Sequence, residues 1–394
     1  MSKTFQSSTT PTQSPARASR RRQKEMCFSD GHAKIPANRL KLISEKRQVT
    51  TMRWRTAVCS LMLLTYGSDF TPSLARFEFS ESHMGTRFRI VVYAATAQAA
   101  QLASTAAFER ISRLDATMSD YRETSELMLL CKEEAGKKVR LSEDLLRVLV
   151  KSQELAERSK GAFDVTVGPL VRLWRRARRT GELPDRQKLA EALESTGYTR
   201  LHLDPKERSA MLEKSGMFLD LGGIAKGYAA DEALAVLNRY GVTRALVAAG
   251  GDIAVGEAPP GTDGWTIAIA QLESVNAPPS RLLVLRAAAV STSGDANQNV
   301  EIGGVRYSHI VDPRTGLALM GRSSVTVVAA DCTTSDSLAT AASVLGPQDG
   351  LRLIDSTKGA AAIFVQAEGS GIRSFETSRW RQIRKTDAKQ ASIQ

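Results

Sequence analysis

The sequence predicts an α+β fold, a sheet core with added helices forming a single catalytic unit. Three observations lead there. Short apolar, strand-like runs recur along the chain between glycine turns, and amphipathic helical segments stand between groups of such runs. No repeat of fixed period and no long linker divides them. The composition, 42% hydrophobic and 24% charged over 394 residues, is ordinary for a globular protein large enough to bury a core.

The elements follow in order. Residues 76–95 alternate in polarity and predict two strands with a turn between them. Residues 96–117 are Ala-rich with helical spacing, and the polar run Tyr121-Arg122-Glu123-Thr124-Ser125 breaks the chain. Residues 142–159 predict a helix opening at a Ser cap, with acids in its first turn. Residues 161–176 mix a turn with apolar residues, and 177–200 form a charged segment with helical stretches. Two short strands are expected in 201–221, and a helix over 227–240 stopped by Gly241. RALVAAGGDIAVG and GWTIAIA read as strands joined by glycine turns. Further strands are expected at 281–290, 305–312 and SSVTVVAA, then a helix over Thr333–Leu345.

The net charge of +12 suggests nucleic acid until it is located. Residues 1–55 carry 13 Lys/Arg and 3 Asp/Glu, so 13 − 3 = 10 of those charges sit there and the rest is near neutral. A nucleic-acid role is therefore excluded. Residues 1–51 read as a disordered basic leader or an over-called start. Residues 52–75 read as a signal peptide or membrane anchor: Met52-Arg53-Trp54-Arg55, a short apolar run, then the small residues of Ser73-Leu74-Ala75. The expected location is the periplasm or the periplasmic side of the inner membrane. The catalytic domain spans 76–380, followed by a polar tail over 381–394. Beyond the leader only Cys131 and Cys332 remain, with no CxxC, which excludes a disulfide framework. With four His and no HxxxH, a zinc site is disfavoured.

Asp220–Gly227, read DLGGIAKG, carries the densest information. Its glycines let backbone approach a ligand closely, and the helix that follows points free N–H groups forward, which suits a phosphate. As a plain turn it needs no ligand. Asp336 and Thr340 lie four apart on one helix face and offer hard oxygens of the kind Mg²⁺ takes. The alternative is a helix cap and a hydroxyl bonded back to a carbonyl. His309 can accept a proton from a hydroxyl, or simply bond to backbone. Asp312-Pro313-Arg314-Thr315-Gly316 also reads as a turn. Tyr121 and Phe163 suit stacking or core, and the arginines at 172, 175, 176, 178 and 179 suit an acidic partner or, more simply, a solvated helix face.

In this order, MGT, MSDYRETSEL, GAFDVTVGPLVRLW, DLGGIAKGYAAD, AAGGDI, STSGD, YSHIVDPRTG and SDSLATAASVLG resemble the FAD:protein FMN transferase family of bacteria, from about Met84 to Gly346. The resemblance implies a T-fold-like sheet core and an Mg²⁺-dependent reaction. FAD is split at its pyrophosphate, FMN is joined through a phosphoester to a Thr of an acceptor flavoprotein with an Asp-Gly-x-Thr site, and AMP leaves. It implies FAD contacts at Met84, Tyr121, Ala162, Phe163, Asp164, Asp220, Lys226 and Val311. It implies Mg²⁺ ligands at Gly223, Asp336 and Thr340, and His309 or Asp336 as base. Where the family often has an aromatic and basic stretch after Ser293-Gly294-Asp295, this chain has Ala296-Asn297-Gln298-Asn299. An FAD pyrophosphatase and a passive flavin carrier are the rival functions. Asp263-Gly264-Trp265-Thr266 mimics the acceptor pattern but reads as a turn entering a strand.

Overall fold

The computed structural model describes residues 73–386 except 270–271, 273–280, 295–297 and 370. The expected leader, the signal segment as far as residue 72, residues 295–297 of the divergent stretch and the end of the tail from 387 lie outside the described residues. Among the described residues, no helix is long and apolar enough to cross a membrane.

In chain order, β1 (Ala75–His83) and β2 (Thr86–Ala94) precede α1 (Ala97–Met118) and α2 (Glu126–Lys132). Next come β3 (Val139–Arg140), α3 (Glu143–Arg158), α4 (Gly168–Thr180), α5 (Arg186–Glu194), β4 (Leu201–Asp204), β5 (Ser209–Leu212) and α6 (Ala225–Arg239). A run of strands follows: β6 (Ala245–Ala249), β7 (Asp252–Val255), β8 (Trp265–Ile269), β9 (Arg281–Leu285), β10 (Ala288–Gly294), β11 (Asn299–Ile302), β12 (Val305–Val311), β13 (Ala318–Met320) and β14 (Ser323–Ala329). Then come α7 (Cys332–Asp355), β15 (Ala361–Glu368), β16 (Gly371–Glu376) and β17 (Lys385–Thr386).

The expected α+β class is the observed one. An antiparallel sheet of order β1-β2-β6-β7-β10-β14-β15-β16 forms the core. Smaller sheets are β11-β12-β13, β17-β9-β8 and β3-β5-β4. The two-residue strand period divides the large sheet cleanly. Phe88, Ile90, Val92, Val247, Val325, Val327 and Phe364 face α1, α6 and α7. Val91, Leu246, Ala248, Val290, Val328 and Ile363 face Trp265, Leu283, Leu285 and Trp380. Burial on both faces explains why LVAA and VTVVAA read as continuous apolar runs rather than alternating ones.

Most local expectations hold. The turn between β1 and β2 is Met84-Gly85, with φ of 48° and 70°, the pair of positive values that a two-residue hairpin needs. Ser142 caps α3, accepting from the Leu145 N–H at 3.3 Å. Thr266 lies in β8, as expected of a turn entering a strand.

Three expectations are corrected. The mixed stretch over 161–176 contains the start of α4, begun by Pro169 at its first turn and ended at Gly181 in the left-handed region, φ 71°. The run 281–290 is two strands, parted at Arg286-Ala287, where Ala287 has a φ of 44°. The helix expected over Thr333–Leu345 continues to Asp355 beyond a kink at Gly346-Pro347, with Gly346 at φ 77° and ψ 177°. Proline there removes a donor and breaks the helix, so the sequence pattern ended where the first segment does.

Helix α6 crosses α7 at Gly227. A Cβ at Gly227 would stand 2.3 Å from the Cys332 carbonyl oxygen and 2.9 Å from Asp336 Cβ. Helix propensity alone favours Gly227→Ala by up to about 1 kcal/mol. The contact is with backbone, which cannot swing aside, so overpacking decides the sign. Gly227→Ala is expected to lose at least about 1 kcal/mol net, read as a lower urea midpoint at unchanged slope.

Candidate active site

The sheet's end, α4, α6 and α7 surround a cavity of about 920 Å³. The hairpin turn brings Met84 to its wall. The segment before α4 brings Ala162, Phe163 and Asp164, and the glycine loop brings Asp220, Gly223 and Lys226. Tyr121, His309, Val311 and Thr340 complete the set. Eleven of the twelve sequence-derived site residues therefore line one cavity. The exception is Asp336, which lies beneath its floor at 2% exposure.

Asp336 neither caps its helix nor faces solvent. The cap of α7 is Asp331, whose side chain accepts from the Thr334 N–H at 2.8 Å. Asp336 Oδ2 accepts from the Gly227 N–H at 3.1 Å and lies 3.4 Å from Lys226 Nζ. Lys226 Nζ also donates to the Gly222 carbonyl at 2.9 Å and pairs with Asp252 Oδ2 at 3.1 Å. Asp252, absent from the sequence-derived set, starts β7 just after the Gly250-Gly251 turn. The AAGGDI run held that signal, a carboxylate placed directly after two glycines. Burial, reinforced by the Asp252 charge, pushes Asp336 up to about 7 despite Lys226. Burial works against the Lys226 ammonium, yet the two carboxylates outweigh it and raise its pKa.

One ammonium shared by two buried carboxylates leaves the cavity floor negative whenever both are ionised. Thr340 Oγ1 lies 3.4 Å from Ser293 Oγ. A Cβ on Gly223 would stand 2.9 Å from that same Thr340 oxygen, so only glycine allows this close approach of the loop. Carboxylate, hydroxyl and loop carbonyl oxygens beside excess negative charge are the donor chemistry of Mg²⁺. The residues present fit that ion. Among the described residues, no group of three His, Cys, Asp or Glu forms a metal cluster. The fit rests on the hydroxyl and carbonyl oxygens as much as on carboxylates.

His309 enters from β12. Its Nδ1 lies 3.2 Å from the Gln298 carbonyl. Donation from Nδ1 to that oxygen puts the ring's lone pair on Nε2. Strand β12 is held by α4: Trp174 Nε1 donates to the Gly316 carbonyl at 2.8 Å, and its ring lies 5.2 Å from that of Tyr307. The Asp312–Gly316 turn closes on itself, with Asp312 Oδ1 accepting from the Arg314 N–H at 2.9 Å. Asp164, buried and raised by that burial, accepts from both the Thr166 N–H and hydroxyl, at 2.8 and 2.7 Å. It shapes the wall that Ala162 and Phe163 line.

The arginine run is not simply a solvated face, and this corrects the simpler expectation. Arg175 pairs with Asp120 and, at 2.8 Å, with Asp220 Oδ2, and its guanidinium lies 4.4 Å from the Tyr121 ring centre. Asp220 Oδ1 in turn accepts from the Gly222 N–H at 2.8 Å, so α4 holds the glycine loop through one carboxylate. Arg178 lines the cavity too. Tyr121 is 74% exposed and stands at the rim, not in the core. The sequence carries no sign of these long-range pairings.

A family model described as the ApbE family matches residues 84–364. The chain is similar to an FAD:protein FMN transferase of Treponema pallidum, 31% identical over 79% of this chain and 91% of the relative. An FAD:protein FMN transferase of Klebsiella pneumoniae is 27% identical over 83% of this chain and 96% of the relative. Among solved structures, the flavin transferase ApbE from Vibrio cholerae superposes with a TM-score of 0.71 at 28% identity, over 79% of this chain and all of that one. The ApbE protein from Thermotoga maritima gives 0.69 at 32% identity, over 78% and 99%.

A titrating carboxylate outside the cavity anchors the helix that carries Asp336 and Thr340. Asp231 of α6 accepts from the Cys332 N–H at 2.7 Å and from the Thr333 N–H and hydroxyl at 2.8 and 2.6 Å. Burial, with a smaller contribution from Asp331, pushes Asp231 up to about 6. An acid raised on folding binds its proton more tightly in the native state. Stability therefore falls as pH rises from the ordinary carboxylate range through about 6. The expected decline from this group is about 2–3 kcal/mol between pH 4 and 7. Urea midpoints across that range should fall less steeply for Asp231→Asn than for wild type.

Proposed function

The chain belongs to the ApbE family, and we propose that it is an Mg²⁺-dependent FAD:protein FMN transferase that joins FMN to a Thr hydroxyl of an acceptor protein and releases AMP. That the chain is a transferase follows from its relatives. The finer reading is supported chiefly by one observation. The glycine loop, the Thr340 hydroxyl and His309 share a single cavity with Asp336 directly beneath it.

The residues divide the work as follows. The glycine loop offers backbone N–H groups to the pyrophosphate. Gly223 carbonyl, Asp336 and Thr340 would hold Mg²⁺, with Lys226 fixing the Asp336 carboxylate. Bound there, the ion neutralises phosphate charge and orients the leaving group. Met84, Ala162, Phe163, Asp164, Val311 and Tyr121 supply the flavin wall, with Asp220 orienting the loop beside it. His309 takes the Thr proton as its oxygen attacks the FMN phosphorus. The bond from that phosphorus to the bridging oxygen breaks, and AMP carries the oxygen away. His309 is better placed as base than Asp336, whose Oδ2 is engaged below the floor. The basic, then apolar leader supports action outside the cytoplasm, on a membrane-bound or periplasmic flavoprotein.

The direct test incubates the protein from Arg76 onward with FAD, Mg²⁺ and a flavoprotein domain bearing Asp-Gly-x-Thr. An FMN-sized mass gain on the Thr, lost with EDTA, is expected. FMN and AMP in solution without the adduct would make the protein a pyrophosphatase, and intact retained FAD a carrier. Asp336→Ala should abolish metal-dependent turnover, and full activity would sink the proposed ion site. His309→Ala should slow transfer about 10²–10⁴-fold with FAD affinity retained, and an unchanged rate would remove His309 as base.

A further inference from the structure

Helix α4 carries far more positive charge than its contacts use. Of its five arginines, Arg175 is taken by Asp120 and Asp220. Arg172 lies over the Phe218 ring at 3.5 Å. Among the described residues, no carboxylate pairs with Arg172, Arg176, Arg178 or Arg179; Arg172 also reaches Met128 Sδ at 3.9 Å, and Arg178 lies near Tyr121. Glu182, the acid nearest in sequence, pairs with none of them. The helix dipole favours Arg178 and Arg179 in the last turn but accounts for neither Arg172 nor Arg176. The apolar stripe Leu170, Trp174 and Ala177 points into the core beside Val311 and Ala318. Arg172, Arg176 and Arg179 are exposed, whereas Arg178 is half-buried in the cavity wall together with Val171.

The result is a band of uncompensated cations that begins inside the cavity at Arg178 and continues over the outer surface of α4. We propose that this band is the docking surface for the acceptor protein, which lays an acidic segment along α4 as its acceptor hydroxyl enters the cavity. The inference deepens the transferase reading and rests on it. The occupant is fixed by two features. The reaction brings a second protein to this mouth, and the cations are continuous with the cavity wall, so whatever they hold is delivered to the reacting atoms. An anionic lipid surface matches the charge but has no segment to insert. Charges at the edge of such an interface act mainly on association rate and salt dependence.

The test reverses two exposed charges that take no part in the cavity, Arg176→Glu with Arg179→Glu. At low salt, kcat/KM for the acceptor domain is expected to fall about tenfold or more. The gap to wild type should close as salt rises. kcat at saturating acceptor, and FAD affinity by flavin fluorescence, should be unchanged. A short poly-glutamate peptide should compete with the acceptor on wild type and not on the double variant. Arg176→Lys with Arg179→Lys should behave as wild type. An unchanged kcat/KM at low salt overturns the docking surface. So does an equal fall in FAD affinity, or loss of binding to phosphatidylglycerol vesicles with transfer intact. A wild-type protein that binds FAD yet forms no adduct fails the transferase reading itself, which is a distinguishable result.

Discussion

The Lys226 ammonium, held between Asp252 and Asp336 under the glycine loop, is the interaction on which the rest of the site depends. It joins the start of α6, the start of β7 and the first turns of α7. Three charges taken from water cost several kcal/mol each unless they meet one another in good geometry. Here the geometry leaves two carboxylates sharing one cation, a poor arrangement for stability alone. On the proposed function the imbalance is half of a binding site, since a cation entering beside Thr340 would offset the remaining charge. The glycines follow from the same constraint. Gly223 has no room for a side chain against Thr340, and Gly227 has none against the α7 backbone.

The cavity needs walls as firmly held as its floor. Helix α4 supplies them in two directions. Through Arg175 it grips Asp220 and so the glycine loop, and through Trp174 it grips the hairpin that carries His309 and Val311. Helix α7 is fixed independently, by Asp331 at its own cap and by Asp231 reaching across from α6. A catalytic group held from two sides keeps the geometry that an in-line displacement requires. Large apolar residues on both faces of the sheet give these anchors a rigid base.

Local elements were largely legible in the sequence because local rules govern them. Strand alternation, the Ser142 cap and the stop at Gly241 depend on neighbours a few residues away. The cavity set was legible too, since Met84, Gly223, His309 and Thr340 each stand in a short recognisable run. Asp252 was signalled by the AAGGDI run though not singled out; the illegible parts were Asp231 and Arg175. Each of these two acts through a partner 45 or more residues distant in the chain, Arg175 on Asp220 and Asp231 on Cys332. An isolated carboxylate or arginine looks the same in sequence whether it is solvated or clamped.

The sequence by itself determined the α+β class, much of the order of strands and helices, the family and the residue types expected to bind phosphate and Mg²⁺. Only the tertiary structure decided that Asp336 lies below the floor, that Lys226 is shared, and that the arginines of α4 divide between a structural clamp and a band of free charge. The physical reason is the range of the forces. Periodicity and capping are set within one or two turns of chain. Burial, ion pairing and the shape of a cavity exist only once distant segments have been brought within a few ångströms of one another.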